Sequence, residues 1–126
     1  MDQDLGRCTP PLVLIVEDEV LVAMDMEERV QSLGYAVLGP APSVAAAGSL
    51  LDSETPRAAL LDVELRGERV SPIAERLRRL GIPFALVTGY ARLLLDDPAL
   101  VGAPRLSKPV AEAELASMLR KMLSQK

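Results

Sequence analysis

Short apolar runs alternate along this chain with segments of helical periodicity, and that alternation restricts the possible folds more than any other feature. The runs are too short for helices and consist mostly of Leu, Val, Ile and Ala. Runs of this kind are typical of buried strands in a parallel sheet. We predict strands at 12–16, 36–38, 58–62, 84–88 and 104–107, with Gly39 and Pro40 ending the second.

Between these runs, apolar residues recur at intervals of three and four, which is the spacing of one helix face. Ser43 suits an N-cap, and Gly34 and Gly81 suit the ends of helices. The predicted helices cover 20–33, 43–53, 70–80, a short segment from about 91, and a last segment that contains 115–123. Strands that alternate with helices imply right-handed crossovers. The predicted fold is therefore α/β, a five-stranded parallel sheet in the order 2-1-3-4-5 with helices on both faces.

Length and composition limit the class of protein. A chain of 126 residues, 49% of them hydrophobic, suits one domain, which we place at 12–125 after a flexible lead-in at 1–11. The net charge of −4 argues against nucleic-acid binding. One cysteine and the lack of a long apolar run predict a soluble, cytoplasmic protein that does not enter membranes. The absence of histidine excludes histidine-based metal sites and catalytic triads.

Polar residues stand at the carboxyl ends of the predicted strands. Glu17 and Asp18 follow the first strand, Asp62 ends the third, Thr88 ends the fourth and Lys108 follows the fifth. In an open α/β sheet these ends share one edge, where ligands bind. On the position of Asp62 alone, a loop aspartate that caps the next turn is the more common case, and the other strand-end residues are what favour a functional site.

Three carboxylates at this edge would need a compensating cation. At about 5 Å, each pair repels by roughly 3 kcal/mol at an effective dielectric constant near 20. Oxygen ligands without histidine suit Mg²⁺, which binds through few carboxylates together with phosphate oxygens. With the ammonium of Lys108 and the hydroxyl of Thr88, this set is suited to phosphoryl transfer, with Asp62 as the nucleophile.

The same motifs resemble those of the receiver domains of bacterial two-component response regulators, over residues 12–125. VLIVEDE (13–19) is similar to the first strand of that family with its acidic pair, and LLD (60–62) to its phosphoacceptor strand. VTG (87–89) is similar to its switch threonine, and SKP (107–109) to its lysine-proline pair. The resemblance implies the flavodoxin-like receiver fold.

The resemblance also assigns roles to residues of this chain. It implies that Mg²⁺ is bound by Glu17, Asp18, Asp62 and the backbone carbonyl of Glu64. It further implies that Asp62 accepts the phosphoryl group, that Thr88 bonds it and that Lys108 pairs with it. The Lys108–Pro109 peptide bond is expected to be cis, as in most receivers.

A narrower resemblance is to the FAT GUY subgroup of single-domain receivers. It rests on DVELRGE (62–68) and PFALVTGY (83–90), although Leu86, Val87 and Ala91 differ from the residues that the subgroup favours. Arg105 stands where most receivers carry a switch aromatic. We therefore expect Tyr90 to act with Thr88 in the switch and to slow the entry of water; the alternative is that Tyr90 only packs at a helix start.

The expected function is that of a stand-alone phosphoacceptor receiver that signals through protein contacts. The expected partners are a sensor histidine kinase or a histidine phosphotransfer protein and a downstream protein, with the chain a monomer or weak dimer. Such a protein would not be an enzyme beyond its own phosphorylation and slow dephosphorylation. Two alternatives stay open: a magnesium-dependent phosphatase-like or nuclease-like enzyme on a similar sheet, and a degenerate receiver that only docks partners.

Overall fold

A five-stranded, all-parallel sheet forms the centre of the molecule in a computed structural model that describes residues 9–89 and 97–124. The order is β2-β1-β3-β4-β5, so the predicted sheet is confirmed. The strands are β1 (Leu12–Val16), β2 (Ala36–Ala41), β3 (Ala58–Asp62), β4 (Phe84–Thr88) and β5 (Arg105–Ser107).

Helices cover both faces of this sheet, as predicted. Within the described ranges they are α1 (Val20–Ser32), α2 (Val44–Ser53), α3 (Ser71–Leu80) and α4 (Glu112–Leu123). The helix predicted from about 91, like Tyr90 and most of the lead-in at 1–11, lies largely outside the described residues. None of the described helices is long and apolar enough to span a bilayer.

Alternate residues of the central strands point to opposite faces and build two cores. Leu14 and Val16 of β1 face α2 and α3, whereas Val13 and Ile15 face α1 and α4. Because side chains alternate along a strand, each core receives every second residue of β1, β3 and β4. This explains why these strands are apolar along almost their whole length.

The second strand differs from its prediction, because it continues through Gly39 and Pro40 to Ala41 instead of ending there. As an edge strand it tolerates a proline, which lacks an N–H to donate. The pairing with β1 shifts by one residue between Leu14 and Val16. Gly39 permits this, since it has a φ of 100° and a Cβ there would lie 2.7 Å from the amide nitrogen of Ala41.

Candidate functional site

Strand register brings Glu17 and Asp62 together. Val16 pairs with Leu61 in adjacent parallel strands, so the next residue of each chain segment emerges at the same edge of the sheet. Both side chains also continue the alternation that faces α1 and α4. Glu17 is 5% exposed and Asp62 is 3% exposed, which is unusual for carboxylates and marks a site.

Asp18 completes an acidic cluster with these two residues. One carboxylate oxygen from each of Glu17, Asp18 and Asp62 lies within 4.8 Å of the others. Asp18 also accepts a hydrogen bond from the backbone N–H of Arg66 at 2.9 Å, which ties the loop after β3 to the end of β1. The structure thus places the three predicted carboxylates in one group.

Lys108 supplies positive charge to the cluster. Its Nζ lies 3.2 Å from Oδ1 of Asp62, 3.5 Å from Oε1 of Glu64 and 3.8 Å from Oε1 of Glu17. Burial lowers the pKa of Lys108, but the charges of these carboxylates outweigh it and raise the pKa above its ordinary value. The ammonium is therefore charged at neutral pH. The Lys108–Pro109 bond is cis, which confirms that prediction.

Glu17 titrates differently from an exposed glutamate because its carboxylate is buried in the cluster. Burial, as the largest cause, raises the pKa of Glu17 from 4.5 to about 7. The hydrogen bond from the backbone N–H of Glu19, at 3.1 Å, opposes this rise, and the charge of Asp62 adds to it. Removal of its carboxylate from water therefore favours the protonated form of Glu17 more than the charges of its neighbours do.

Thr88 ends β4 beside the cluster and is 2% exposed. Its hydroxyl lies 3.3 Å from Oε2 of Glu64, and the same oxygen accepts from the backbone N–H of Gly89 at 3.2 Å. The resemblance to receivers implies a role for the backbone carbonyl of Glu64, whereas the sequence does not predict these contacts of its carboxylate. Its position two residues after Asp62, opposite the end of β4, is the signal that could have pointed to them.

Of the remaining predicted switch residues, the structure describes Arg105 but not Tyr90. Arg105 begins β5, paired with Leu86, and its side chain is exposed. Tyr90 lies outside the described residues. The predicted roles of Thr88, Tyr90 and Arg105 in a switch stay predictions, as does the ligation of Mg²⁺ by the backbone carbonyl of Glu64.

The acidic cluster has the chemistry of a magnesium site. All three side chains offer hard oxygen atoms, and Glu17 and Asp62 are buried with like charge. Oxygens that share one Mg²⁺ at its usual bond length are at most about 4.2 Å apart. The 4.8 Å span therefore needs only a small contraction of flexible side chains. The residues present fit the ion.

Comparison with known proteins agrees with the fold. The chain is 28% identical to the phyllosphere-induced regulator PhyR of Methylorubrum extorquens over 114 residues, 88% of this chain and 43% of that protein. It is 36% identical to SdrG from Sphingomonas melonis Fr1, whose solution structure covers 90% of this chain and 97% of its own with a TM-score of 0.77. The PhyR response regulator REC domain of Erythrobacter litoralis is 29% identical, with a TM-score of 0.81 and coverage of 94% and 93%. No family model matches the chain.

Fold and site together define a parallel α/β protein with an acidic, lysine-containing site at the carboxyl edge of its sheet. With the similarity to SdrG over nearly the whole of both chains, we conclude that the chain belongs to the response regulator receiver domains of two-component signal transduction. The resemblance to receiver domains is confirmed, and it supports a phosphoacceptor role. Receiver-domain regulators are generally signalling proteins and not enzymes. The chain spans about half the length of the curated relatives it matches.

Proposed function

We propose that Asp62 accepts a phosphoryl group and that the receiver domain comprises residues 12–125. The observation that carries this proposal is the position of Asp62: it is buried at a strand end, lies in the acidic cluster and bonds Lys108 at 3.2 Å. The loop-cap interpretation is less well supported, although Asp62 Oδ1 does accept from the backbone N–H of Glu64 at 3.0 Å. A capping aspartate has no need of a buried acidic cluster or of a lysine from another strand.

The proposed reaction moves a phosphoryl group from an oxygen or nitrogen atom of the donor to a carboxylate oxygen of Asp62. A carboxylate oxygen of Asp62 forms the new O–P bond while the bond from phosphorus to the donor atom breaks, and the donor keeps that electron pair and takes a proton from solvent. Lys108 and Thr88 would then stabilise the oxygens of the bound group. Hydrolysis later reverses the state: water attacks phosphorus, inorganic phosphate leaves and Asp62 is a carboxylate again.

Magnesium belongs to this proposal as the resident ion. Glu17, Asp18, Asp62 and the backbone carbonyl of Glu64 are the proposed ligands, and the 4.8 Å cluster of carboxylates supports the first three. When bound, the ion neutralises the negative charge of the carboxylates and of the incoming phosphoryl oxygens.

A receiver needs one protein that donates the phosphoryl group and another that responds to the phosphorylated state. A sensor histidine kinase or histidine phosphotransfer protein would supply the group, and a downstream protein would recognise the phosphorylated state. Nucleic acid is not a proposed partner, because the net charge is −4. A monomer or weak dimer, a cytoplasmic location and a switch through Thr88, Tyr90 and Arg105 remain part of the proposal.

A magnesium-dependent phosphatase-like enzyme is the alternative from another class. Such enzymes commonly carry a second aspartate two residues after the nucleophile, where this chain has Glu64. In this structure the Glu64 carboxylate lies against Thr88, Gly89 and Lys108. The comparisons do not favour the enzyme. One equivalent of bound phosphate per chain would support the receiver, and multiple turnover of a phosphate ester would support the enzyme.

Labelling with a small phosphodonor tests the assignment. Incubation with acetyl phosphate and Mg²⁺ should add one phosphoryl group, seen as a mass increase of the intact protein, and a chelator should prevent it. Asp62→Asn should abolish the label while circular dichroism stays unchanged. Asp25→Asn is the matched control, because the Asp25 side chain is 64% exposed on α1. Stoichiometric labelling of Asp62→Asn would contradict the assignment.

A further inference from the structure

The carboxylate of Glu64 occupies a group of hydrogen-bond donors that converge beside Asp62. Its Oε2 lies 3.3 Å from the Thr88 hydroxyl and 3.2 Å from the Gly89 backbone nitrogen, and its Oε1 lies 3.5 Å from Nζ of Lys108. A hydroxyl, an amide N–H and an ammonium are thus directed at one anion. These are the donor types that bind the oxygens of a phosphoryl group.

The loop after β3 is anchored on several sides, which favours this placement of Glu64. The N–H of Glu64 donates to Asp62 at 3.0 Å, and the N–H of Arg66 donates to Asp18 at 2.9 Å. Further along, Glu68 accepts from the first amide of α2, that of Val44, at 3.0 Å. The backbone on either side of Glu64 is therefore tied to β1, β3 and α2.

A carboxylate and a phosphoryl group cannot both take these donors. Lys108 lies between Asp62 and Glu64, at 3.2 and 3.5 Å, so a group attached to Asp62 and bonded to Lys108 would meet the carboxylate of Glu64. Two anions at hydrogen-bond distance from the same donors also repel each other. One of them has to leave.

We propose that Glu64 is an internal competitor for the phosphoryl-binding donors: its carboxylate holds Thr88, Gly89 and Lys108 in the unphosphorylated protein and is displaced when Asp62 is modified. This inference rests on the proposed phosphoacceptor role of Asp62. Glu64 thereby sets how readily the site accepts the group. It also keeps the donors ordered around an anion before the group arrives.

Titration with beryllofluoride, a stable phosphoryl analogue, in the presence of Mg²⁺ tests the competition without turnover. Glu64→Ala should bind the analogue about tenfold more tightly than the wild type, since a charge-assisted contact no longer has to be broken. Glu64→Gln should fall between them, because its amide oxygen can still accept from Thr88 and Gly89. Glu19→Gln removes one charge from an exposed side chain at the same edge and should leave the affinity within about twofold.

The rank order of the variants' affinities distinguishes occupation of the donors by Glu64 from simple charge repulsion. Equal tightening by Glu64→Ala and Glu64→Gln, or equal tightening by Glu19→Gln, would show a charge effect only and overturn the proposal. So would an unchanged affinity in Glu64→Ala. If the wild type shows no binding that depends on Asp62, the proposed function itself fails, and the competitor role with it.

A second measurement reports the contact directly in the free protein. In a ¹H–¹⁵N spectrum, the amide proton of Gly89 should shift upfield in Glu64→Ala, because its acceptor at 3.2 Å is gone. In the wild type, adding beryllofluoride should perturb the carboxyl carbon of Glu64 as it leaves these donors. A Gly89 resonance identical in both proteins, or a Glu64 carboxyl carbon unaffected by a bound analogue, would overturn the proposal.

Discussion

Single residues at the carboxyl edge of the sheet carry an excess of negative charge. The carboxylates of Asp62, Glu64 and Glu17 lie 3.2, 3.5 and 3.8 Å from the ammonium of Lys108, and that of Asp18 belongs to the acidic cluster with Glu17 and Asp62. The exposed guanidinium of Arg66 lies 3.9 Å from Asp18 and screens it only weakly. Burial is the main cause of the raised pKa of Glu17, and repulsion by the charge of Asp62 adds to it.

The pH dependence of stability should reveal the proton on Glu17. Its pKa is about 7 in the folded protein and 4.5 in the unfolded chain, so the folded state binds more protons between these values. Metal-free stability should therefore fall as the pH rises from about 4.5 to about 7 and level off above, by at most about 3 kcal/mol from this residue. Urea unfolding with a chelator at several pH values measures this. Glu17→Gln should flatten that part of the profile, and an unchanged slope in the variant would contradict the assignment.

Removal of the Lys108 ammonium should affect both stability and signalling. Lys108→Ala leaves the neighbouring carboxylates without this cation, so the metal-free protein should lose about 2 kcal/mol at neutral pH, and the pKa of Glu17 should rise further. The variant should still accept phosphate from a small donor, but slowly and with weaker chemical-shift changes. Denaturant unfolding, labelling rates and amide spectra measure these effects. Lys121→Ala, at an exposed position of α4, is the control, and a wild-type response in Lys108→Ala would argue against its role.

At the scale of elements, loops fasten the site to the helices of one face. The first turn of α2 receives two acceptors, the Ser43 hydroxyl at 3.1 Å from the Ala46 amide and the Glu68 carboxylate at 3.0 Å from the Val44 amide. Ser43 caps the helix as predicted, whereas Glu68 comes from the loop that follows Asp62. The helix start and the site loop therefore support each other.

Loss of the Ser43 cap should weaken α2 by a predictable amount. Ser43→Ala leaves the amide of Ala46 without its acceptor and should lower the free energy of unfolding by about 1 kcal/mol. Ser43→Asp should retain most of the stability, since its carboxylate can accept the same bond. Thermal and urea unfolding give the difference. Ser53→Ala, which removes an exposed hydroxyl near the other end of α2, is the comparison, and an equal loss there would mean that the cap is not the cause.

At the scale of the whole molecule, a well-packed sheet holds several carboxylates close together at one edge. Two apolar cores fix the strands on both faces, so the strand ends that carry the carboxylates cannot separate without disturbing well-packed residues such as Leu61 and Leu60. The excess charge therefore weakens the folded state as a whole and is relieved when a cation binds. Site chemistry and global stability are coupled for this reason.

Magnesium should accordingly stabilise the entire domain. At a concentration about 100-fold above its Kd, an ion that binds only the folded state adds about 2.7 kcal/mol to the free energy of unfolding. Asp18→Asn should remove most of this gain, whereas Asp25→Asn should retain it. Unfolding curves at increasing Mg²⁺, with ionic strength held constant by NaCl, measure the effect. Equal stabilisation of Asp18→Asn and the wild type would place the ion elsewhere.

Local patterns in the sequence determined the strands, most helix limits and the residues at the strand ends. Short continuous apolar runs and the spacing of three and four in the segments between them suffice for this, because strands buried on both faces are typical of a parallel sheet. That Glu17, Asp62, Thr88 and Lys108 share an edge follows from the same topology. The family assignment used these positions, and the comparisons confirmed it.

Only the tertiary structure decided which partner each side chain takes. Glu64 could have pointed to solvent, but the register of β3 and β4 brings it to the Gly89 amide. The pKa of Glu17 depends on burial by residues distant in the chain. The strand β2 continues beyond Gly39 because an edge strand can absorb a one-residue shift in register. These features depend on distances between separate elements, which set desolvation and hydrogen bonding and which no local pattern encodes.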